Sequence, residues 1–328
     1  MSHLLRTAAS RVRELVSWQC SAVTVSDNPV GSDKGGSRGA MGIGRLVPAM
    51  LLALVAWPAI VSAQCRPPSN TNEAKLLAFY SAPIEFSPAG APEVLAPGSV
   101  TIGAEVVPIP RPDAAIEQTS FCYEGKRENT RLAPVFGRPR IAVGLPVGFA
   151  LEASFVPPVK MWDAEPLLAS MAISNARVLP FAPGRSRLTL LLRAQGTVGR
   201  VRGPITCPSS GLQTGDPNSP CFGSEPSRDT FHPYMFGSDG ALSLATTDGK
   251  WSVYAGGGVS WLRPRFQVGF TDGVGTTDST RISVDLTRGA LFGGVSARVW
   301  RVMRLSAQVY SVPADATVWR FGFDYVIR

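Results

Sequence analysis

Beyond Ala63 the 328-residue chain has no apolar run long enough to cross a membrane as a helix, which takes about 20 residues. That excludes a helical span in the processed chain and leaves strands as the only way across. Histidine is also scarce: of two in the whole chain, only His232 follows residue 63. With one histidine and no C-x-x-C pair, a zinc site is a poor fit and no metal or cofactor is expected. His232 and Ser238 lie six positions apart on one extended stretch, about 20 Å at the usual rise, too far for a base to reach a nucleophile. No catalytic residue is nominated, and the chain is expected not to be an enzyme. The glycines Gly256 to Gly258 lack the strand-to-helix setting and the lysine of a P-loop, so they point to curvature and packing instead.

Charge is sparse too, at 17% of residues against 45% hydrophobic. The formal charge is +8, but the first 63 residues carry six Lys/Arg and three Asp/Glu, so +5 belongs to the remainder. No dense basic cluster accompanies that surplus, and a nucleic-acid partner is not expected.

What the sequence does have begins at Met41. Arg45 precedes an apolar run from Leu46 to Val61, and Val61-Ser62-Ala63 has the small-x-small form of a signal-peptidase site. Residues 41–63 therefore read as a signal peptide, and the polar stretch 1–40 reads as a mis-assigned upstream extension. Export places the chain in an oxidising compartment with an even set of cysteines: Cys65, Cys122, Cys207 and Cys221. Cys207 and Cys221 bracket a Pro/Gly/Ser-rich loop, and a bridge closing about 15 residues contributes roughly 3 kcal/mol in the chain-entropy model. Cys65 with Cys122 follows by elimination.

Residues 64–97 are punctuated by proline, with NEAKLLAFY at 72–80 as a short helix capped by Asn70 or Thr71. This segment is either periplasmic or a plug entering a barrel mouth. From residue 98 the pattern changes to alternation. Val100, Ile102, Ala104 and Val106 share one side of a strand; Ile141, Val143 and Leu145 share one side of the next. The same period of two runs on through residues 149–155, 167–173, 188–198, 231–246, 251–262, 282–299, 303–310 and 319–327. Near Gly289 a slip hands the apolar side from Ile282, Val284 and Leu286 to Leu291 and Val295, as a bulge would. About ten strands result, eight to twelve allowing for the ends. The short connections near 146, 183, 248 and 301 fall on one side, and all the long ones fall on the other.

The side opposite the apolar stripe carries Glu152, Arg193, Gln195, Asp285, Arg304, Gln308, Arg320 and Asp324, which are therefore expected to face a lumen. An arginine facing lipid near the midplane would cost about 2 to 4 kcal/mol. Trp251 and Trp261 share the apolar side of one strand about 23 Å apart along a membrane normal at a tilt of about 45°. With Trp319 and Tyr325 they are expected to form an aromatic girdle.

In its signal peptide, alternating strands, short inner turns, long outer loops and aromatic final strand, the chain from Gly98 to Arg328 resembles the small bacterial outer-membrane β-barrel proteins. The helix at 72–80 is similar to the N-terminal hatch of fatty-acid-transporter-like barrels. The resemblance implies an all-β, antiparallel, up-and-down transmembrane barrel over 98–328, located in the bacterial outer membrane. Its partners would be membrane lipid and the secretion and barrel-assembly machinery. With ten strands and a crowded polar lumen, the expected function is a narrow channel or a carrier for a small or apolar solute. A structural or adhesive barrel is the alternative. If Cys122 lies in an outer loop, Cys65 can reach it only by crossing the barrel, which would make residues 64–97 a plug.

Overall fold

The computed structural model of the protein describes residues 65–118, 121–122, 132–180 and 186–327. The signal peptide at 41–63, the extension 1–40, the charged EGKREN stretch at 124–129 and the turn at Ala182-Pro183-Gly184 lie outside the described residues.

Among the described residues one α-helix, α1 (Asn72–Ile84), precedes fifteen strands. Ten of them close into an antiparallel barrel: β1 (Val100–Pro108), β2 (Val135–Gly144), β3 (Phe149–Val156), β4 (Glu165–Leu179), β5 (Ser186–Gly203), β7 (Met235–Thr246), β8 (Trp251–Leu262), β13 (Leu286–Arg298), β14 (Met303–Val312) and β15 (Ala316–Ile327). Each pairs with the next, and β15 returns to β1 from Val100↔Ile327 to Val106↔Phe321, so the ten-stranded barrel has no free edge. The connections 145–148, 247–250 and 299–302 are short and share one end of the barrel. The long connections share the other.

Period-two alternation sets which side chains meet which environment. On β4, Ala169, Met171 and Ile173 point outward while Leu168, Ser170, Ala172 and Ser174 point into the lumen. Met171 is 60% exposed on that outer wall, as is Trp251 on β8. On β8 the inward glycine Gly256 has no room for a side chain, since an added Cβ would lie 2.3 Å from the carbonyl oxygen of Gly240 on β7. The glycine run is thus a place where two strands and the Phe292 ring approach closely.

The long-loop end carries an extension. Past Gly199, β5 leaves its pairing with β7 and takes up β6 (Asp229–His232), which pairs with β9 (Arg265–Gln267), which pairs with β12 (Arg281–Ser283). Gly199 has φ +139° and presses against the Leu167 carbonyl, a bend closed to other residues. Pro233, with no N–H to donate, divides β6 from β7, so the stretch 231–246 is two strands. A small hairpin of β10 (Phe270–Thr271) and β11 (Thr277–Asp278) completes the loop. Both disulfides lie here: Cys207–Cys221 closes its own loop, and Cys65–Cys122 joins the start of the described chain to the β1–β2 connection. Buried Asp229 fastens the connection after β5 to the connection after β9, accepting from the Thr206 N–H at 2.6 Å and the Gly269 N–H at 2.8 Å.

The expected slip near Gly289 is not present. Pairing between β13 and β8 runs unbroken from Leu286↔Leu262 to Ala297↔Trp251. Ile282, Val284 and Leu286 are buried, pointing inward at the long-loop mouth, so the sidedness never changes along this stretch. What changes is the environment, because the mouth has an apolar interior where the lumen below has a polar one.

Candidate functional site: an ionic septum beneath an apolar mouth

Residues from Asn72 to Gly98 thread the barrel from the long-loop end to the short-loop end. Thr71 caps α1 by accepting from the Ala74 N–H. The Glu73 carboxylate accepts from the Phe121 and Cys122 N–H groups at 2.6 and 3.2 Å, fastening the helix beside the Cys65–Cys122 bridge. Below Ile84 the chain is extended and has no strand partner. Its carbonyls must find donors, since an unpaired buried carbonyl costs as much as a lost hydrogen bond.

Arginines from the barrel wall supply them. Arg138 donates to the Ile84 and Glu85 carbonyls at 2.8 and 2.6 Å. Arg320 donates to Ala82 at 2.8 Å and Glu85 at 2.7 Å, Arg140 to Ser87 at 3.0 Å, and Arg193 to Phe86. The same arginines share carboxylates. Glu105 binds Arg138 and Arg320 at 2.8 Å each and Arg140 at closer range. Glu152 bridges Arg140 and Arg193 at 2.8 and 3.2 Å, and Asp239 meets Arg193 at 3.1 Å. Glu85 accepts from Gln195 at 3.1 Å and from Ser260. Three guanidiniums, those of Arg140, Arg193 and Arg138, lie over the Phe86 ring at 4.1, 4.8 and 4.9 Å.

Four arginines thus face four carboxylates in a closed layer across the lumen. Below it the segment is held by lighter contacts. Ser306 donates to the Ala89 carbonyl, Ser296 accepts from the Ala91 N–H at 2.9 Å, and Ser243 donates to the Pro92 carbonyl at 3.0 Å. Glu93 pairs with Arg298 and Arg304, and Arg304 with Asp324 at 2.9 Å.

Seven of the eight polar residues read from the sequence therefore stand in the lumen: Glu152, Arg193, Gln195, Arg304, Gln308, Arg320 and Asp324. Asp285 does not. It is 74% exposed and lies 3.8 Å from Arg263, in the connection just before β13, because the inward positions there belong to Val284 and Leu286. Trp251, Trp261, Trp319 and Tyr325 all point outward, and Phe236 stacks on Trp261 at 5.6 Å between centroids. Glu85 joins the septum from the threading segment, and Glu105, Arg138, Arg140 and Asp239 complete it from the wall without having been singled out. Their parity on β1, β2 and β7 is the signal that would have found them.

Above the septum α1 leaves an apolar pocket of about 100 Å³ against the wall. Leu76, Leu77 and Tyr80 of the helix face Phe136, Phe231 and Phe266 across it, and the Glu73 carboxylate stands at its edge.

No protein-family model and no curated protein matches the chain. Among solved structures it is similar to Ail, the attachment invasion locus protein of Yersinia pestis, solved with the heparin analogue sucrose octasulfate. That likeness has 11% identity and a TM-score of 0.24, covering 71% of this chain and 100% of Ail. The outer membrane protease OmpT of Escherichia coli gives 10% identity and 0.36 over 70% of this chain and 94% of OmpT. A TodX deletion mutant, a monoaromatic hydrocarbon channel, gives 13% and 0.27 over 76% and 70%. The closed ten-stranded wall with apolar side chains outside and a charged lumen is the architecture of a small outer-membrane β-barrel.

Proposed function

We propose that this protein is an outer-membrane barrel, sealed by its own N-terminal segment, that takes up a small apolar molecule at its outer mouth as the first step of carrying it inward. The wall supports the membrane placement: exposed Met171, Ile173, Leu192, Val253 and Leu291 form a continuous apolar exterior that water would penalise and lipid would not. The short-loop end then lies in the periplasm and the disulfide-bonded end outside.

The apolar pocket beside α1 is the observation that carries the functional half. A cavity of about 100 Å³ approaches the size of engineered apolar cavities that bind xenon or benzene. The septum favours a carrier over an open pore, because wall arginines hold the threading segment across the lumen. Titrating benzene into the full chain in detergent, while following the Met161 methyl resonance, tests this reading. A saturable shift that Ile109→Trp abolishes by filling the pocket is expected; no saturable shift would sink it. In planar bilayers the full chain should pass no ionic current.

The disulfide-pinned loop between Cys207 and Cys221 favours a second reading, a structural or adhesive barrel. Deleting residues 208–220 with no change in attachment or stability would remove it.

A further inference from the structure

The outer ends of β5, β6, β9 and β12 form a four-stranded sheet above the barrel wall. Its inward row is Val201, Phe231, Phe266 and Ile282, joined cross-strand and lining the apolar pocket. Strand alternation turns the neighbouring residues to the opposite, outward face. Those neighbours are Arg200 and Arg202 on β5, His232 on β6, Arg265 on β9 and Arg281 on β12. Four guanidiniums and an imidazole therefore share one wall, with His232 directly opposite Arg265.

They are close enough to act on one another. Arg200, Arg202 and Arg265 all disfavour the charged form of His232. The Tyr234 ring stacks on His232 at 5.9 Å and 5°, and the Arg265 guanidinium lies 5.5 Å from the centre of that same ring. Between β6, β9 and β12 these side chains enclose a cleft of about 180 Å³, with Gln267 and Ser283 adding hydrogen-bonding groups and Phe266 and Ile282 bordering it. Among the described residues, Glu165 stands cross-strand from Arg202, while Asp229 is turned inward and fully buried.

The position of this wall selects its partner. Val198 on β5 and Phe236 on β7, stacked with Trp261, belong to the upper edge of the apolar exterior. Arg200 and Tyr234 stand two residues above them on the same face, about 7 Å at the usual rise. That is headgroup depth for a bilayer whose hydrocarbon ends at the aromatic edge. Guanidiniums bind phosphate with paired, charge-assisted hydrogen bonds.

We propose that this wall is a binding site for the phosphorylated headgroup of an outer-leaflet lipid, with Arg265, Arg281 and His232 around the phosphate and Arg200 and Arg202 alongside. The site rests on the membrane-spanning half of the function proposed above and is independent of the apolar pocket.

The test is to titrate the full chain in non-ionic detergent with bis-phosphorylated lipid A, with the same lipid dephosphorylated, and with inorganic phosphate, reading bound lipid by native mass spectrometry. Saturable binding of the phosphorylated lipid is expected, with Arg265→Ala/Arg281→Ala weakening it about twenty-five-fold at roughly a factor of five per arginine. Benzene binding in that variant should be unchanged, which shows that it is folded and separates this site from the pocket. Equal binding of the dephosphorylated lipid, equal binding by the double variant, or inorganic phosphate competing at equimolar concentration would each overturn the proposal. Arg200→Lys/Arg202→Lys, which keeps the charge, should lose less than Arg200→Ala/Arg202→Ala. Equal losses would assign β5 a structural role and contradict its part in the site.

Discussion

Glu105 shows how much one side chain can hold. It is fully buried and receives three arginines from two other strands, and each of those arginines also grips a carbonyl of the threading segment. Removing its charge leaves three guanidiniums competing for the remaining acceptors. Breaking a buried pair by deleting one partner costs about 3 to 5 kcal/mol, so Glu105→Gln should lower the urea midpoint in detergent by that equivalent. An unchanged midpoint would mean the septum contributes nothing to the fold. His232 carries the pH response of the outer extension. Burial holds its imidazole below the ordinary range, and Arg200, Arg265 and Arg202 add to that against the favourable Gly199 carbonyl. A depressed histidine favours the folded state above the unfolded value near 6.5 and loses that contribution as pH falls. Amide exchange in β6 and β9 should therefore quicken between pH 7.5 and 5.5 in lipid-free detergent, and His232→Gln should flatten the response.

Elements differ in how plainly the sequence announces them. The ten strands were legible because one face of each meets a uniform environment, so a period of two survives along its whole length. β4 illustrates this, with outward Ala169, Met171 and Ile173 against inward Ser170 and Ser174. The reading failed at β12 and the start of β13 because Ile282, Val284 and Leu286 cross from a polar lumen into an apolar mouth. An unchanged register there mimics a slip. The helix was readable from local residues over 72–80, with its cap left between Asn70 and Thr71; the structure carries it on to Ile84 and caps it with Thr71. The path of residues 85–97 was not, because what fixes it is a set of backbone carbonyls, which look alike in every sequence. The septum lay between these cases: its residue types and parity were visible, while its pairings depend on registers between strands far apart in the chain. The Cys65–Cys122 bridge is the covalent sign of the plug. A loop of this span is worth about 4 kcal/mol in the chain-entropy model. Cys65→Ser/Cys122→Ser should accordingly raise amide exchange in α1 well above that in β1 or β15. Equal exchange would mean that the bridge does not anchor the segment.

At the scale of the whole molecule, two solvents are kept apart by one sheet. Outside, aliphatic and aromatic side chains cover the wall between Trp251 near one end of β8 and Trp261 near the other. Inside, charges are paired around a thread of the protein's own chain, and the long-loop mouth is apolar. This arrangement accounts for the outward tryptophans, the buried arginines and the placement of both disulfides at the long-loop end. The most direct measurement is depth-resolved quenching of single-tryptophan variants retaining Trp251 or Trp261, reconstituted in vesicles whose lipids carry bromine at successive acyl positions. The account predicts that both residues are quenched most strongly by bromine nearest the headgroups, in opposite leaflets, with little quenching from the bilayer centre. Tryptophans untouched by bromolipid, or both lying in the same leaflet, would contradict it.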